Sequence, residues 1–280
     1  MADRNINRAG YLRESFHYFH LKDTAGQELD FHFHEFDKLV ILLEGSVNYL
    51  VEEQSYDLPP WSVLLVRHHA IHKAVIDRSR PYERIILYLD RRYFERAFPG
   101  AGLMDCFDQA DRRRRHLLTA TEEQLKELKA AVSAYEKAAA DKRLGSQIMR
   151  ETLIIQLLIH VNRLHEAAPN RAETRGDPKV HAVLSYINEH FREDLSVEAL
   201  AERFYLSPYH FMRLFKSQTG TTVHAYVRQK RLMHAARLIR EGMPAAKAAA
   251  ESGFGDYSAF HRAFKESFGV SPGKMVGKGE

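Results

Sequence analysis

"LSPYHFMRLFKSQTGTT" occupies residues 206–222 and "FGDYSAFHRAFKESFGVSP" occupies residues 254–272. An offset of 49 residues places Phe211 over Phe260, Arg213 over Arg262, Phe215 over Phe264, Lys216 over Lys265 and Gly220 over Gly269. In the first copy Phe211, Leu214 and Phe215 fall at i, i+3 and i+4, the spacing that turns three apolar side chains to one face of a helix. Tyr209, Met212, Arg213 and Lys216 are left on the outer face. Ser207 suits an N-cap, Pro208 the first helical position, and Gly220 the helix end. Upstream, Ser196 caps a shorter helix that turns Val197, Leu200 and Ala201 inward, and Leu206 closes the turn between the two.

The second copy repeats this logic. Ala245, Ala248 and Ala249 mark its first helix, Gly253 its turn and Asp256 the cap of its second helix. Phe260, Ala263 and Phe264 point inward; Tyr257, Ser258, His261, Arg262 and Lys265 point outward. The first helices are offset by 48 residues, so the second turn carries one extra residue, near Gly255. Ser271-Pro272 then opens a final short helix. A short helix, a tight turn and a second helix with a basic, polar outer face form a helix-turn-helix, whose second helix fits a major groove. Between the copies, "VHAYVRQKRLMHAARLIREG" is charged on one side and carries Val227, Leu232, Ala235, Leu238 and Ile239 on the other. A helix of about 17 residues there spans ~25 Å. It would hold two reading heads near the ~34 Å spacing of successive major grooves.

Charge agrees with that reading. The 280-residue chain has a net charge of +4. From Asp177 onward there are 15 Lys and Arg against 11 Asp and Glu, whereas residues 1–176 hold 26 of each. The whole excess therefore sits with the repeat, where an anionic partner would bind. The single cysteine, Cys106, permits no disulfide within one chain, which fits a reducing cytoplasm. No apolar leader and no run of ~20 apolar residues is present, so neither export nor membrane spanning is expected.

Residues 178–275 resemble the AraC/XylS-type transcriptional regulators. The resemblance rests on "LSVEALAERFYLSPYHFMRLFKSQTG" and "SGFGDYSAFHRAFKESFGVSP". It implies double-stranded DNA as partner, bound by both second helices. Tyr209, Met212 and Arg213, then Tyr257, Ser258, His261 and Arg262, match base-reading positions, with Lys216 and Lys265 beside them. Arg213 and Arg262 are equally suited to gripping phosphate. Two departures stand out. Met275 and Val276 replace an aromatic residue and an arginine after Ser271-Pro272, and Ala245 and Ala248 replace large aliphatic residues.

The front half has two textures. Residues 31–89 are rich in β-branched and aromatic residues with short turns, which suggests a sandwich or small barrel. Within it, "KLVILLEGSVNYLVE" breaks at Glu44-Gly45 and reads as a hairpin. After Asp90 the texture becomes helical, with a capping box at Thr121 and Gln124. "SQIMRETLIIQLLIHVNRLHEAA" has a wide apolar face that includes Ile148, Ile155 and Leu158, broader than one sheet needs. "APNRAETRGDP" then reads as a linker, with Asp177 capping a helix that starts at Pro178. The "RRRR" run at Arg112–Arg115 lies beside Asp108 and Asp111 and reads as a solvated helix start or a salt-bridged face.

"FHFHEFDKLVILLEGSVNYLVEEQSYDLPPWSVLLVRHHAIHKAVI" resembles the cupin-type sensor domain that often precedes this DNA-binding unit. His32 and His34 match the His-x-His pair of metal-binding cupins and His72 the later histidine; Lys38 stands at the usual Glu position. An ammonium there opposes a metal. The favoured reading is a polar pocket for an organic effector, a sugar or small acid, lined by His32, His34, Lys38, Tyr49, Trp61, His72 and Tyr88. The alternatives are histidines satisfied within a barrel interior, or a metal-dependent cupin enzyme or metal sensor fused to a helical domain. His68 and His69 read as surface turn residues.

The expected architecture is α+β in two domains: a cupin-like β-barrel with flanking helices, then an all-α domain of two helix-turn-helix units. The expected boundaries are 1–110 for the sensing barrel, 111–166 for a helical dimerisation segment, 167–177 for a linker and 178–280 for DNA binding. The expected function is a cytoplasmic, sequence-specific transcription regulator, not an enzyme and without a cofactor. Its DNA binding answers to the effector, it forms a homodimer, and RNA polymerase is a further candidate partner.

Overall fold

Strand alternation builds the front half. The computed structural model describes residues 7–8, 12, 14–23, 32–52, 54–77, 79–167, 178–219 and 221–275. Its strands are β1 (Asn7–Arg8), β2 (Phe16–Asp23), β3 (His32–Phe33), β4 (Asp37–Glu44), β5 (Val47–Val51), β6 (Gln54–Asp57), β7 (Val63–Val66), β8 (His72–Ile76), β9 (Tyr82–Leu89) and β10 (Leu117–Leu118). They form two five-stranded sheets, ordered β1-β3-β8-β5-β6 and β10-β7-β4-β9-β2. Val40, Leu42, Leu64, Val66 and Ile86 face the barrel interior with Val47, Tyr49 and Tyr56 from the other sheet. The intervening Leu39, Ile41, Val63, Leu65, Ile85 and Leu87 face outward into a second core. That explains why the "KLVILL" run is almost uninterrupted: both faces of this sheet are covered.

The outer cover is helical: α1 (Arg91–Ala97), α2 (Asp105–Arg112), α3 (Glu122–Ala139) and α4 (Ser146–Ala167). The capping box at Thr121 and Gln124 forms as the sequence predicts. Phe94, Phe107, Leu128, Ile154 and Leu158 join the sheet's outer face in one core. Strand β10 pairs with β7 beyond residue 110, so barrel and helices interleave along the chain.

Two expectations from the sequence need correction. Glu44-Gly45 is not a hairpin: β4 pairs with β7 and β9, whereas β5 pairs with β6 and β8. The chain there crosses between sheets, and Gly45, at φ 113°, passes so close to Pro81 that a Cβ would lie 2.6 Å from its carbonyl oxygen. The arginine run ends a helix instead of starting one. Arg115 is buried and donates to the His165 carbonyl at 2.8 Å, while Arg114 donates to Ser185 at 3.0 Å and pairs with Glu189. The apolar face of α4 is divided: Leu158 is fully buried in the core, whereas Ile148 and Ile159 are exposed.

The back half consists of α5 (Pro178–His190), α6 (Val197–Arg203), α7 (Pro208–Thr219), α8 (Val223–Arg240), α9 (Ala245–Glu251) and α10 (Tyr257–Phe268), closed by a 3-10 turn at Pro272–Lys274. Ser196 caps α6 through the Ala199 amide at 3.1 Å, and Asp256 caps α10 through the amides of Ser258 and Ala259. Each unit has its own core. Phe211 and Phe215 pack with Val183, Leu200 and Tyr226; Phe260, Phe264 and Phe268 pack with Leu232, Ala236 and Ala249. The 18 residues of α8 span ~27 Å and serve both cores. The expected linker from residue 168, the Asp177 cap, the Gly220 stop and Val276 lie outside the described residues.

Candidate functional site

Two sites emerge, one in the barrel and one on the helices. In the barrel, strand register brings the histidines together. His32 pairs directly with His72, and the His32 and His72 rings lie 4.3 Å apart between centroids. His34 completes the group at 5.0 Å from His32 and 4.9 Å from His72. All three are buried, and one ligating nitrogen from each lies within 4.8 Å of the others. His72 Nδ1 bonds the Ala70 carbonyl at 2.9 Å, which leaves Nε2 facing Lys38 Nζ at 3.5 Å. Burial, then the charges of His32, Lys38 and His34, holds His72 well below the usual imidazole range. Burial, helped by Arg84, pushes the Lys38 ammonium down to about 7.

Most of the other predicted pocket residues join this group. Lys38 lies opposite Tyr88 in the β4–β9 register, and its Nζ is 5.7 Å from the centre of the Tyr49 ring. Tyr88 lies 5.6 Å from His34. Trp61 does not join: it packs on the outer, helical side of the sheet, with Lys129 over its ring at 4.9 Å. Sequence reading missed Phe36, which stacks on His34 at 4.6 Å and meets Tyr88 at 4.2 Å. It also missed Asp37, fully buried yet held by Arg91 at 2.8 Å and by the His68 amide at 2.7 Å. His68 and His69 are half-buried partners, not surface residues: His68 holds Asp37, and His69 accepts from Arg240 at 2.8 Å. Three imidazoles suit a divalent cation, and Lys38 beside His72 opposes one only where it keeps its proton, below about pH 7. The cluster is buried and sets polar groups beside flat aromatic faces, chemistry compatible with a hydroxylated or acidic organic molecule.

On the helices, α7 and α10 present matching outer faces. Tyr209 is 72% exposed, Met212 47% and Tyr257 45%. Arg213, Lys216, Ser258, Arg262 and Lys265 are also exposed, and His261 is half-buried. Large side chains thus stand exposed among basic ones on both outer faces.

A family profile described as an AraC-like ligand binding domain matches residues 17–158. The chain belongs to the AraC family. A second profile, a helix-turn-helix domain, matches residues 200–277. The protein is thus a DNA-binding transcription regulator with an N-terminal ligand-binding barrel. Among curated AraC-family relatives, the HTH-type transcriptional activator RhaS of Citrobacter koseri is 27% identical over 252 residues, 86% of this chain and 85% of its own. RhaS of Salmonella schwarzengrund is 28% identical over 254 residues, with the same coverage. Among solved structures, ToxT from Vibrio cholerae O395 is similar over 95% of this chain and 99% of its own, at 12% identity and a TM-score of 0.37. Of the departures from the AraC-family pattern, Met275 packs against the second unit's core, Ala248 is fully buried in it and Ala245 is partly buried against it.

Proposed function

We propose that the chain is a cytoplasmic, homodimeric regulator. In this reading α7 and α10 each enter a major groove, and a sugar or small acid in the barrel changes DNA affinity. The observation that carries this is the pair of exposed outer faces, Tyr209, Met212, Arg213 and Lys216 on one helix and Tyr257, Ser258, Arg262 and Lys265 on the other. The half-buried His261 stands with the second set. His32, His34, Lys38, Tyr49, His72 and Tyr88 hold the effector, and Trp61 is left out because it faces the helices. Regulation is the role in place of enzymatic turnover. The curated relatives are named transcriptional activators, which supports RNA polymerase as a further partner. Among the described residues no helix is long and apolar enough to cross a membrane. Dimerisation uses the outer stripe of α4, where Ile148, Thr152, Ile155 and Ile159 follow one another at helical spacing and Ile148 is 71% exposed.

Binding to fragments of the source genome, selected at ~150 mM salt, tests the regulator. Enrichment of one sequence over bulk DNA is expected, and no enrichment would sink it. A second reading, a metal sensor, is favoured by the convergence of His32, His34 and His72. Elemental analysis separates the two: the organic-effector reading expects less than one Zn, Fe, Mn or Ni per chain after dialysis. A stoichiometric metal, lost in His34→Ala, would establish the sensor instead.

A further inference from the structure

Strand β3 has two faces, and they look into different domains. His32 and His34 turn to the histidine cluster, while Phe33 between them turns away and is fully buried. Its surroundings are the core of the second helix-turn-helix unit, with Leu232, Ala249, Phe260 and Phe264, and its ring lies 5.5 Å from that of Phe268. The same alternation recurs next door. His72 is in the same cluster, and the preceding residue, Ile71, is fully buried in the core of the first unit with Val183, Phe211, Phe215 and Tyr226. Because His32 pairs with His72 in register, the two apolar side chains leave adjacent strands side by side. Each enters a different DNA-reading unit.

Helix α8, which joins those units, is gripped at the same place. Glu52 accepts from the Ile71 amide at 2.9 Å and from Lys230 Nζ at 2.5 Å, so one carboxylate ties the Ile71 segment to α8. At the end of α8, Arg240 donates to His69 at 2.8 Å and pairs with Glu35, while the His69 amide donates to the His34 carbonyl at 2.7 Å. Both grips therefore run to residues flanking the histidine cluster. The second unit also depends on its visitor: its first helix contributes only alanines to the core, and Phe33 supplies an aromatic ring there.

We propose that β3 and the start of β8 form a transmission, with His32, His34 and His72 as its receiving face and Phe33 and Ile71 as two teeth, one set in each DNA-reading unit. The inference rests on the reading of the histidine cluster as the effector pocket. An occupant seated between β3 and β8 shifts one strand against the other. The teeth then move relative to each other and reset the angle between α7 and α10. Two reading heads fit successive grooves at one setting only, so this movement gives the effector different affinities for DNA-bound and free protein. The reading faces themselves stay exposed in the docked arrangement, so the control acts on geometry and not by covering the DNA site.

Amide hydrogen exchange on the full chain, without effector or DNA, tests this. Phe33→Ala should speed exchange in α9 and α10 by about tenfold while leaving α6 and α7 unchanged, and Ile71→Ala should do the reverse. Phe33→Leu should restore most of the protection. At the receiving face, His34→Phe should alter exchange in α10, and that change should vanish in the Phe33→Ala background. Glu52→Gln, which empties no core, should loosen α8 around Lys230 without loosening the barrel. An α10 indifferent to Phe33→Ala would overturn the proposal. So would a His34→Phe effect that is absent, or of equal size without Phe33. Since no effector enters the test, a barrel that passes it yet takes no sugar or acid would refute the pocket reading alone.

Discussion

Tyr205 and Gly253 occupy the same place in two turns 48 residues apart, and both have left-handed backbones, at φ 53° and 84°. The position is glycine's in the second unit for a second reason: a Cβ there would sit 2.6 Å from the Arg192 carbonyl oxygen. Tyr205 has space, being 94% exposed, but keeps the backbone penalty of a side chain at positive φ. Tyr205→Gly should therefore stabilise the protein by about 0.5–1 kcal/mol, and Gly253→Ala should destabilise it by about 2 kcal/mol or more. Denaturant melts of the two variants check the pair. Destabilisation by Tyr205→Gly would mean that the exposed ring makes a stabilising contact.

The dimer should part at the outer stripe of α4. Ile148→Glu with Ile159→Glu should give monomers with an unchanged melting profile, because both side chains are exposed in the single chain. Leu158→Glu should instead unfold the barrel's outer core, since Leu158 has no exposure. Sedimentation of the double variant decides; a dimer that persists at micromolar concentration excludes this face.

His165 sets an acid limit to stability. Burial, then the nearby charges of Arg115, Arg113 and His116, pushes its imidazole down to about 4. The unfolded chain, with His165 at its ordinary 6.5, binds a proton that the folded chain refuses between about pH 4 and 6.5. Stability should therefore fall as pH drops through that window, with the full contribution kept above 6.5. His165→Leu should flatten the fall. An unchanged pH profile in that variant would show that other groups govern the acid limb.

The two arginines should divide base reading from anchoring. Arg213→Ala should cost ~1–3 kcal/mol and relax one base position if its guanidinium meets a base edge. A uniform loss across sequences with a shallower salt slope marks a phosphate grip instead. Arg262→Ala should cost less than Arg213→Ala if the alanine-rich α9 gives α10 a weaker support. A larger loss at Arg262 contradicts that ordering.

The helical half was legible because caps, turns and the i, i+3, i+4 spacing are local signals: Ser196, Asp256 and the core residues Phe211, Phe215, Phe260 and Phe264 all stand where the pattern puts them. The barrel was legible by alternation within a strand but not in pairing. Glu44-Gly45 looks like a hairpin because the sequence does not say that the next strand joins another sheet. Trp61 was misplaced for the same reason, since which sheet face meets the helices is a tertiary fact. Phe33 left a trace: a phenylalanine between two inward histidines must point out of the barrel, and nothing local says what covers it.

In the proposed function one chain reads two adjacent grooves. Methylation interference on a selected DNA fragment tests it most directly. Two major-groove patches per chain are expected about one helical turn, ~10 base pairs, apart. Arg213→Ala should erase one patch and Arg262→Ala the other. A single patch, or loss of both with either variant, would contradict it.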